Sequence, residues 1–203
     1  VIDRSMKYGE EVGKSIMAYA KTDKYAQTRG LRYTLQNKPG TYVPTPPAYA
    51  DAIEPNWGKI RPIVLDSANQ FMPPRPPAYD LNKTSPFMKE LMEVYNIGKN
   101  LSEEEQRIAW FWDDNAFVMN VVGHVMFANK KMTPGGHWLA ITQTICKDKK
   151  ATFAQTLEAY MLVSFALRDA FISCWDEKYR SHKIRPETVI NANVDPKWTP
   201  YLQ

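Results

Sequence analysis

Ten of the chain's fifteen prolines fall between residues 39 and 77: Pro39, Pro44, Pro46, Pro47, Pro55, Pro62, Pro73, Pro74, Pro76 and Pro77. Proline has no backbone N–H to donate and its ring blocks a helix interior. It also pushes the residue before it into extended conformation. The stretch from about Asn37 to Ser85 therefore reads as extended or turning chain. Yet Tyr42, Tyr49, Trp57, Ile63, Leu65 and Phe71 are threaded through it, and a free linker would lack them. The segment is expected to wrap over a folded body and pack its side chains there.

The flanks supply that body, and they read as helix. Tyr8, Val12, Ile16 and Tyr19 recur at helical spacing within a helix expected over Ser5–Ala26. Helix resumes at Pro86, where Phe87, Leu91, Val94 and Tyr95 form an apolar stripe. Ser102-Glu103-Glu104-Glu105 is a capping box opening a helix with Ile108, Ala109, Phe111 and Trp112. Breaks follow at Asp113-Asp114-Asn115 and at Thr133-Pro134-Gly135-Gly136. Gly136-His137-Trp138 opens a helix to about Cys146. The longest helix is predicted from about Thr152 to Lys178. Its stripe of Leu157, Tyr160, Met161, Ser164, Leu167, Phe171, Cys174 and Trp175 runs directly onto Lys178 and His182. No strand-like alternation of useful length is present. The pattern predicts an all-α fold, a helical bundle wrapped by a long Pro-rich irregular segment. Its parts are an N-terminal helical segment (1–36), the wrap (37–85) and the bundle part (86–203).

Composition is compatible with such a body. The chain has 203 residues, of which 44% are hydrophobic, with six Trp, eleven Tyr and eight Phe. This suggests one domain or a large part of one. The net charge of +4 is spread along the chain, without the basic patch of a nucleic-acid binder. No apolar run reaches the roughly 18 residues of a membrane-spanning helix. Cys146 and Cys174 are expected as two buried free thiols, and Met119, Met126 and Met132 as core filler. The chain opens on Val1, so either a processed start or a piece of a longer protein is expected.

Lys178 and Arg185 are the residue pair with the clearest chemistry. Arg185 precedes Pro186 and so leaves helical conformation, from where it can turn back toward Lys178. A guanidinium fork and a compact ammonium together suit a tetrahedral oxyanion such as phosphate or vanadate. Trp175, one turn before Lys178, offers a dry wall and an indole N–H. The same pattern also describes a helix end with solvated cations and a core Trp. His124 and His137 read as packing or capping residues, for their spacing fits no metal motif. His182 reads either as a residue reaching the anion or as a solvated loop histidine. Asp113-Asp114 and Asp176-Glu177 point apart on a helix and read as surface or capping pairs.

Trp175-x-x-Lys178-x6-Arg185-Pro186 resembles the first signature of the vanadium-dependent haloperoxidase and type 2 phosphatidic acid phosphatase superfamily. The resemblance extends to Ile108-Ala109-Trp110-Phe111-Trp112-Asp113, to Gly136-His137-Trp138-Leu139-Ala140-Ile141 and to Asp169-Ala170-Phe171-Ile172-Ser173-Cys174-Trp175. It also includes Gly58-Lys59-Ile60-Arg61-Pro62-Ile63-Val64-Leu65, and these segments look like the bacterial haloperoxidase-like branch. The resemblance implies a helical bundle in which Lys178 and Arg185 are catalytic, binding the oxygens of vanadate, with phosphate able to substitute, while Trp175 lines the pocket. A haloperoxidase of this kind uses bound vanadate and hydrogen peroxide to oxidise halide. An acid phosphatase on the same fold would use the cradle for a phosphoester. A non-catalytic helical subunit, presenting the wrap to a protein partner or to a second copy, is the alternative of another class.

The family's second signature, Ser-Gly-His, and its third, an Arg joined to a distant His, do not occur among these residues. The resemblance therefore implies the N-terminal part of a longer protein, whose C-terminal remainder is its partner. No metal ligand is expected within residues 1–203, and the ligating His is expected beyond Gln203. Residues 1–203 alone are expected to be inactive. An extracytoplasmic location is likewise implied by the bacterial branch.

Overall fold

A computed structural model describes residues 1–46, 49, 51–115, 117–122, 125–130 and 132–202, with backbone alone for 117–122 and 125–130. Seven helices lie among them: α1 (Ile2–Ala20), α2 (Tyr25–Arg29), α3 (Pro86–Lys99), α4 (Glu103–Phe111), α5 (Pro134–Asp148), α6 (Phe153–Ser181) and α7 (Pro186–Asn193). A short 3-10 turn occupies Trp57–Lys59. The body is helical, as the periodicity predicts.

Local chemistry sets the helix starts. Ser85 accepts the amide of Met88 ahead of Pro86 in α3, and Thr133 accepts the amide of Gly136 ahead of Pro134 in α5. The capping box at Ser102 and Glu105 forms, and a second one, Thr152 with Gln155, opens α6. At 29 residues, α6 is about 43 Å long. It stops at His182, whose φ of 53° is left-handed. Such a conformation at the helix end is common for Gly and costly for a residue with a Cβ.

One pair of strands interrupts the helices. β1 (Phe117–Val122) runs antiparallel to β2 (Val125–Lys130), with Phe117 opposite Lys130 and Val122 opposite Val125. The sequence reading gives no strand here, because the apolar residues run together instead of alternating. The available signal is compositional, in the Val and Phe content that favours strands.

The core sits where α3 meets α7. Met88 and Leu91 pack with Val189, Ile190 and Trp198, and Tyr79, Phe87, Tyr95 and Ile184 close around them. The Pro-rich segment is anchored on the middle of α6. Ile60 is buried, and Trp57 packs against Phe171 and Trp175 at ring-centroid distances of 5.9 and 5.2 Å. The Asp169 carboxylate accepts three consecutive amides, from Ile63 (2.8 Å), Val64 (2.7 Å) and Leu65 (2.9 Å). Beside it, Arg168 donates to Asp23 at 2.8 Å, which ties the α1–α2 connection to the same helix. Other wrap residues, Tyr49, Val64 and Phe71, stay exposed.

Several side chains differ from the expectation. The buried positions of α6 are Asp169 and Ile172, whereas Leu157 and Met161 on the predicted stripe are exposed. α1 ends at Ala20 instead of Ala26 and buries none of its residues. Cys146 and Cys174 are free, but Cys174 is exposed and Cys146 only partly covered, so neither is a buried thiol. Met132 is exposed rather than core. The side chains of Met119 and Met126 lie outside the described residues, as do His124 and Gln203. Among the described residues no helix is long and apolar enough to cross a membrane.

Candidate oxyanion site

The corner between α6 and α7 is built by two short-range rules. The left-handed His182 ends α6 and reverses the chain. Pro186 at the first turn of α7 then keeps Arg185 extended, with φ −68° and ψ 141°. Main-chain pairing with the wrap fixes the corner from outside. Tyr42 donates its amide to the His182 carbonyl at 3.0 Å, Ile184 donates to Gly40 at 3.0 Å, and Thr41 bridges Lys183. Gly40 has a φ of 75° and its backbone lies against the Tyr79 ring, which leaves no room for a Cβ.

A cavity of about 90 Å³ opens at this corner. Lys178, Tyr179, His182, Lys183 and Arg185 line it from the helices, and Tyr42, Asp51 and Ile53 line it from the Pro-rich segment. The structure thus brings Lys178 and Arg185 to one pocket. The Lys178 ammonium sits 4.9 Å from the Trp175 ring centroid and 5.8 Å from that of Tyr179. The Arg185 guanidinium lies 5.8 Å from the Tyr42 ring centroid. Desolvation of the ammonium, together with the nearby charge of Arg185, lowers the Lys178 pKa from its ordinary value. Among the described residues neither cation is paired with a carboxylate. Asp51 also lines the cavity but forms no ion pair with either cation, and two cations free of such a pair are a donor set that fits a compact oxyanion, so vanadate or phosphate suits these residues.

Trp175 stands beside the cavity rather than in its lining. Its indole N–H is donated to the Ile53 carbonyl at 3.1 Å, and the Tyr179 hydroxyl donates to the same oxygen at 2.7 Å. Trp175 therefore meets the site through the Lys178 ammonium, and its N–H secures the wrap. Burial pushes the Tyr179 phenol up to about 12, reinforced by Tyr33 and Tyr42.

The two histidines among the described residues, His137 and His182, separate. His182 is neither solvated nor loose: its side chain is buried, and its Nδ1 lies 2.7 Å from the Tyr33 hydroxyl. Burial lowers its pKa, which favours the neutral ring. His137 is elsewhere. Its Nδ1 meets Asp114 at 2.7 Å, beside the rings of Phe111 and Trp112. Asp114 is thus a partly buried partner and not a surface residue. Asp176 and Glu177 both bond Arg180, which leaves them out of the cavity. Among the described residues no group of three His, Cys, Asp or Glu side chains gathers as metal ligands. The expectation of a ligating His beyond Gln203 falls outside the described residues, since Gln203 itself is not among them.

The sequence reading marks Tyr42 only as a wrap residue and does not place Tyr33, Tyr42, Asp51 or Ile53 at the site. They reach the corner over chain separations of more than a hundred residues, such as the 149 between Tyr33 and His182. No local pattern carries that information.

No protein-family model and no curated protein matches the chain. Among solved structures it is similar to one described as the crystal structure of the first bacterial vanadium-dependent iodoperoxidase. The two are 50% identical, with a TM-score of 0.86, over 97% of this chain and 47% of the other. The likeness in sequence and in fold to that protein therefore extends over nearly the whole of this chain. It spans about half the length of that iodoperoxidase. In this chain Trp175, Lys178 and Arg185 share one helix end and the turn after it.

Proposed function

We propose that this chain is the N-terminal part of a vanadium-dependent haloperoxidase that oxidises halide with hydrogen peroxide, and that Lys178 and Arg185 hold its vanadate. Bound vanadate supplies the Lewis acidity that activates hydrogen peroxide. The residues of this chain do the holding. The Lys178 ammonium and the Arg185 fork offset the negative charge of the oxyanion's oxygens and keep it in one orientation. The Trp175 ring shields one side of the ammonium from water, which strengthens its field toward the anion. The ligating histidine belongs to the C-terminal part of the protein, beyond Gln203, in this reading.

The observation that carries the proposal is the cavity itself. Two cations without carboxylate partners line one pocket, in a chain half identical to a bacterial iodoperoxidase. Iodide is accordingly the first halide to try. An extracytoplasmic location goes with this reading and is checked by cell fractionation.

The test is turnover by the complete protein loaded with orthovanadate, given hydrogen peroxide and iodide. Triiodide should form, and Arg185→Ala, which no longer holds the oxyanion, should lower turnover by at least about 10²–10³-fold, the usual effect of deleting one charge-stabilising donor. Hydrolysis of a phosphomonoester in place of halide oxidation would identify a phosphatase on the same fold. Absence of both activities would favour the non-catalytic subunit.

A further inference from the structure

Four contacts converge on the corner between Lys178 and Arg185, and all pass through His182 or its neighbours. The His182 side chain is 4% exposed. Its ring hydrogen-bonds with the Tyr33 hydroxyl at 2.7 Å from Nδ1. Its carbonyl accepts the Tyr42 amide at 3.0 Å. Its backbone holds a left-handed φ of 53° that only a well-determined surrounding sustains in a residue with a Cβ. Tyr33 in turn meets Tyr179 edge-on, with ring centroids 5.3 Å apart, and Tyr179 is fastened to Ile53. Tyr33 itself does not line the cavity.

We infer that Tyr33 and His182 are positioning residues for the oxyanion cradle: their hydrogen bond fixes the turn that sets Lys178 and Arg185 on one pocket. The inference rests on the oxyanion-binding reading of that pocket. Its physical basis is the geometry of the turn. A left-handed residue between two binding groups is a pivot, and relaxing it changes both the distance and the direction from one cation to the other. The Tyr33 hydroxyl reaches the pivot from outside the cavity lining. A hydroxyl so placed preorganises the site without contributing a contact to the guest, as outer partners of ligating groups do in metal centres.

The test uses the complete protein and orthovanadate as the probe. Tyr33→Phe keeps the ring against Tyr179 and removes only the hydroxyl. Its orthovanadate dissociation constant, measured by calorimetry, should rise about tenfold, the lower end of the effect of losing such an outer partner. Binding stoichiometry should be unchanged, which separates a looser site from a smaller folded fraction. The iodide-oxidation kcat at saturating vanadate should stay near wild type while half-saturating vanadate rises by the same factor. His182→Ala should weaken binding similarly, and the double variant should lose little more, because the two changes break one contact. Wild-type affinity in Tyr33→Phe, or additive losses in the double variant, would overturn the positioning role alone. A wild-type protein that does not bind orthovanadate would remove the cradle and this inference together.

Discussion

Asp169 of α6 receives the backbone amide of Val64 at 2.7 Å, between the amides of Ile63 and Leu65 on the same carboxylate. A buried carboxylate saturated by three donors is a strong tether, and here it fixes the wrap that supplies one wall of the cavity. Burial alone would raise the Asp169 pKa. The three amide bonds outweigh it, and the charge of Arg168 adds to them, so the pKa is lowered. A lowered carboxylate stabilises the fold above its unfolded pKa of about 3.9, and that contribution is lost as pH falls through the lower folded value.

Asp169→Ala should therefore destabilise the protein by about 3 kcal/mol, since three amides lose their charged partner. Asp169→Asn should lose the acid-dependent part. Denaturant titrations from pH 7 down to pH 3 check both. Wild-type stability should fall across the acid range more steeply than that of Asp169→Asn, and parallel curves would show that the tether does not titrate.

Gly58 carries a second prediction about the same wrap. A Cβ added there would lie 2.8 Å from the Cα of Asp176, which is backbone and cannot swing away. Gly58→Ala should cost about 1–3 kcal/mol of overpacking, which is a fall in Tm of several degrees for a chain of this size. A melting temperature equal to wild type would mean that the wrap is free to lift from α6.

Lys178 makes the pH dependence of binding predictable in sign. Its pKa lies below the ordinary 10.5, because desolvation and the charge of Arg185 disfavour the ammonium. Orthovanadate affinity of the complete protein should begin to fall on the alkaline side before that ordinary value is reached. Lys178→Arg keeps its charge there, so the ratio of variant to wild-type affinity should climb with pH. Titration calorimetry at several alkaline pH values measures the ratio, and the comparison cancels the ionisation of vanadate itself. A constant ratio would place the Lys178 ammonium away from the anion.

Helix starts are legible wherever a side chain acts within three residues of itself. Ser102 with Glu105, and Pro186 behind Arg185, state their conformations locally. The corner that juxtaposes Lys178 and Arg185 is legible for the same reason. The packing of each helical face is not. Trp110, Phe111 and Trp112 of the α4 region are all exposed, because periodicity marks an apolar face without naming what meets it. His182 is ambiguous in sequence since its conformation depends on Tyr33, 149 residues earlier. The role of the Trp175 indole is hidden for a like reason: its acceptor is the carbonyl of Ile53 in the wrap. Asp169 gives no sign of burial, for its partners are backbone amides that any sequence would present.

The central claim is that Lys178 and Arg185 close on one oxyanion, and direct titration of orthovanadate into the complete protein tests it most simply. A single saturable site is expected in the wild type, with binding abolished in Arg185→Ala, while Arg75→Ala, at a residue that does not line the cavity, binds as wild type. Equal affinity in the wild type and Arg185→Ala would contradict it.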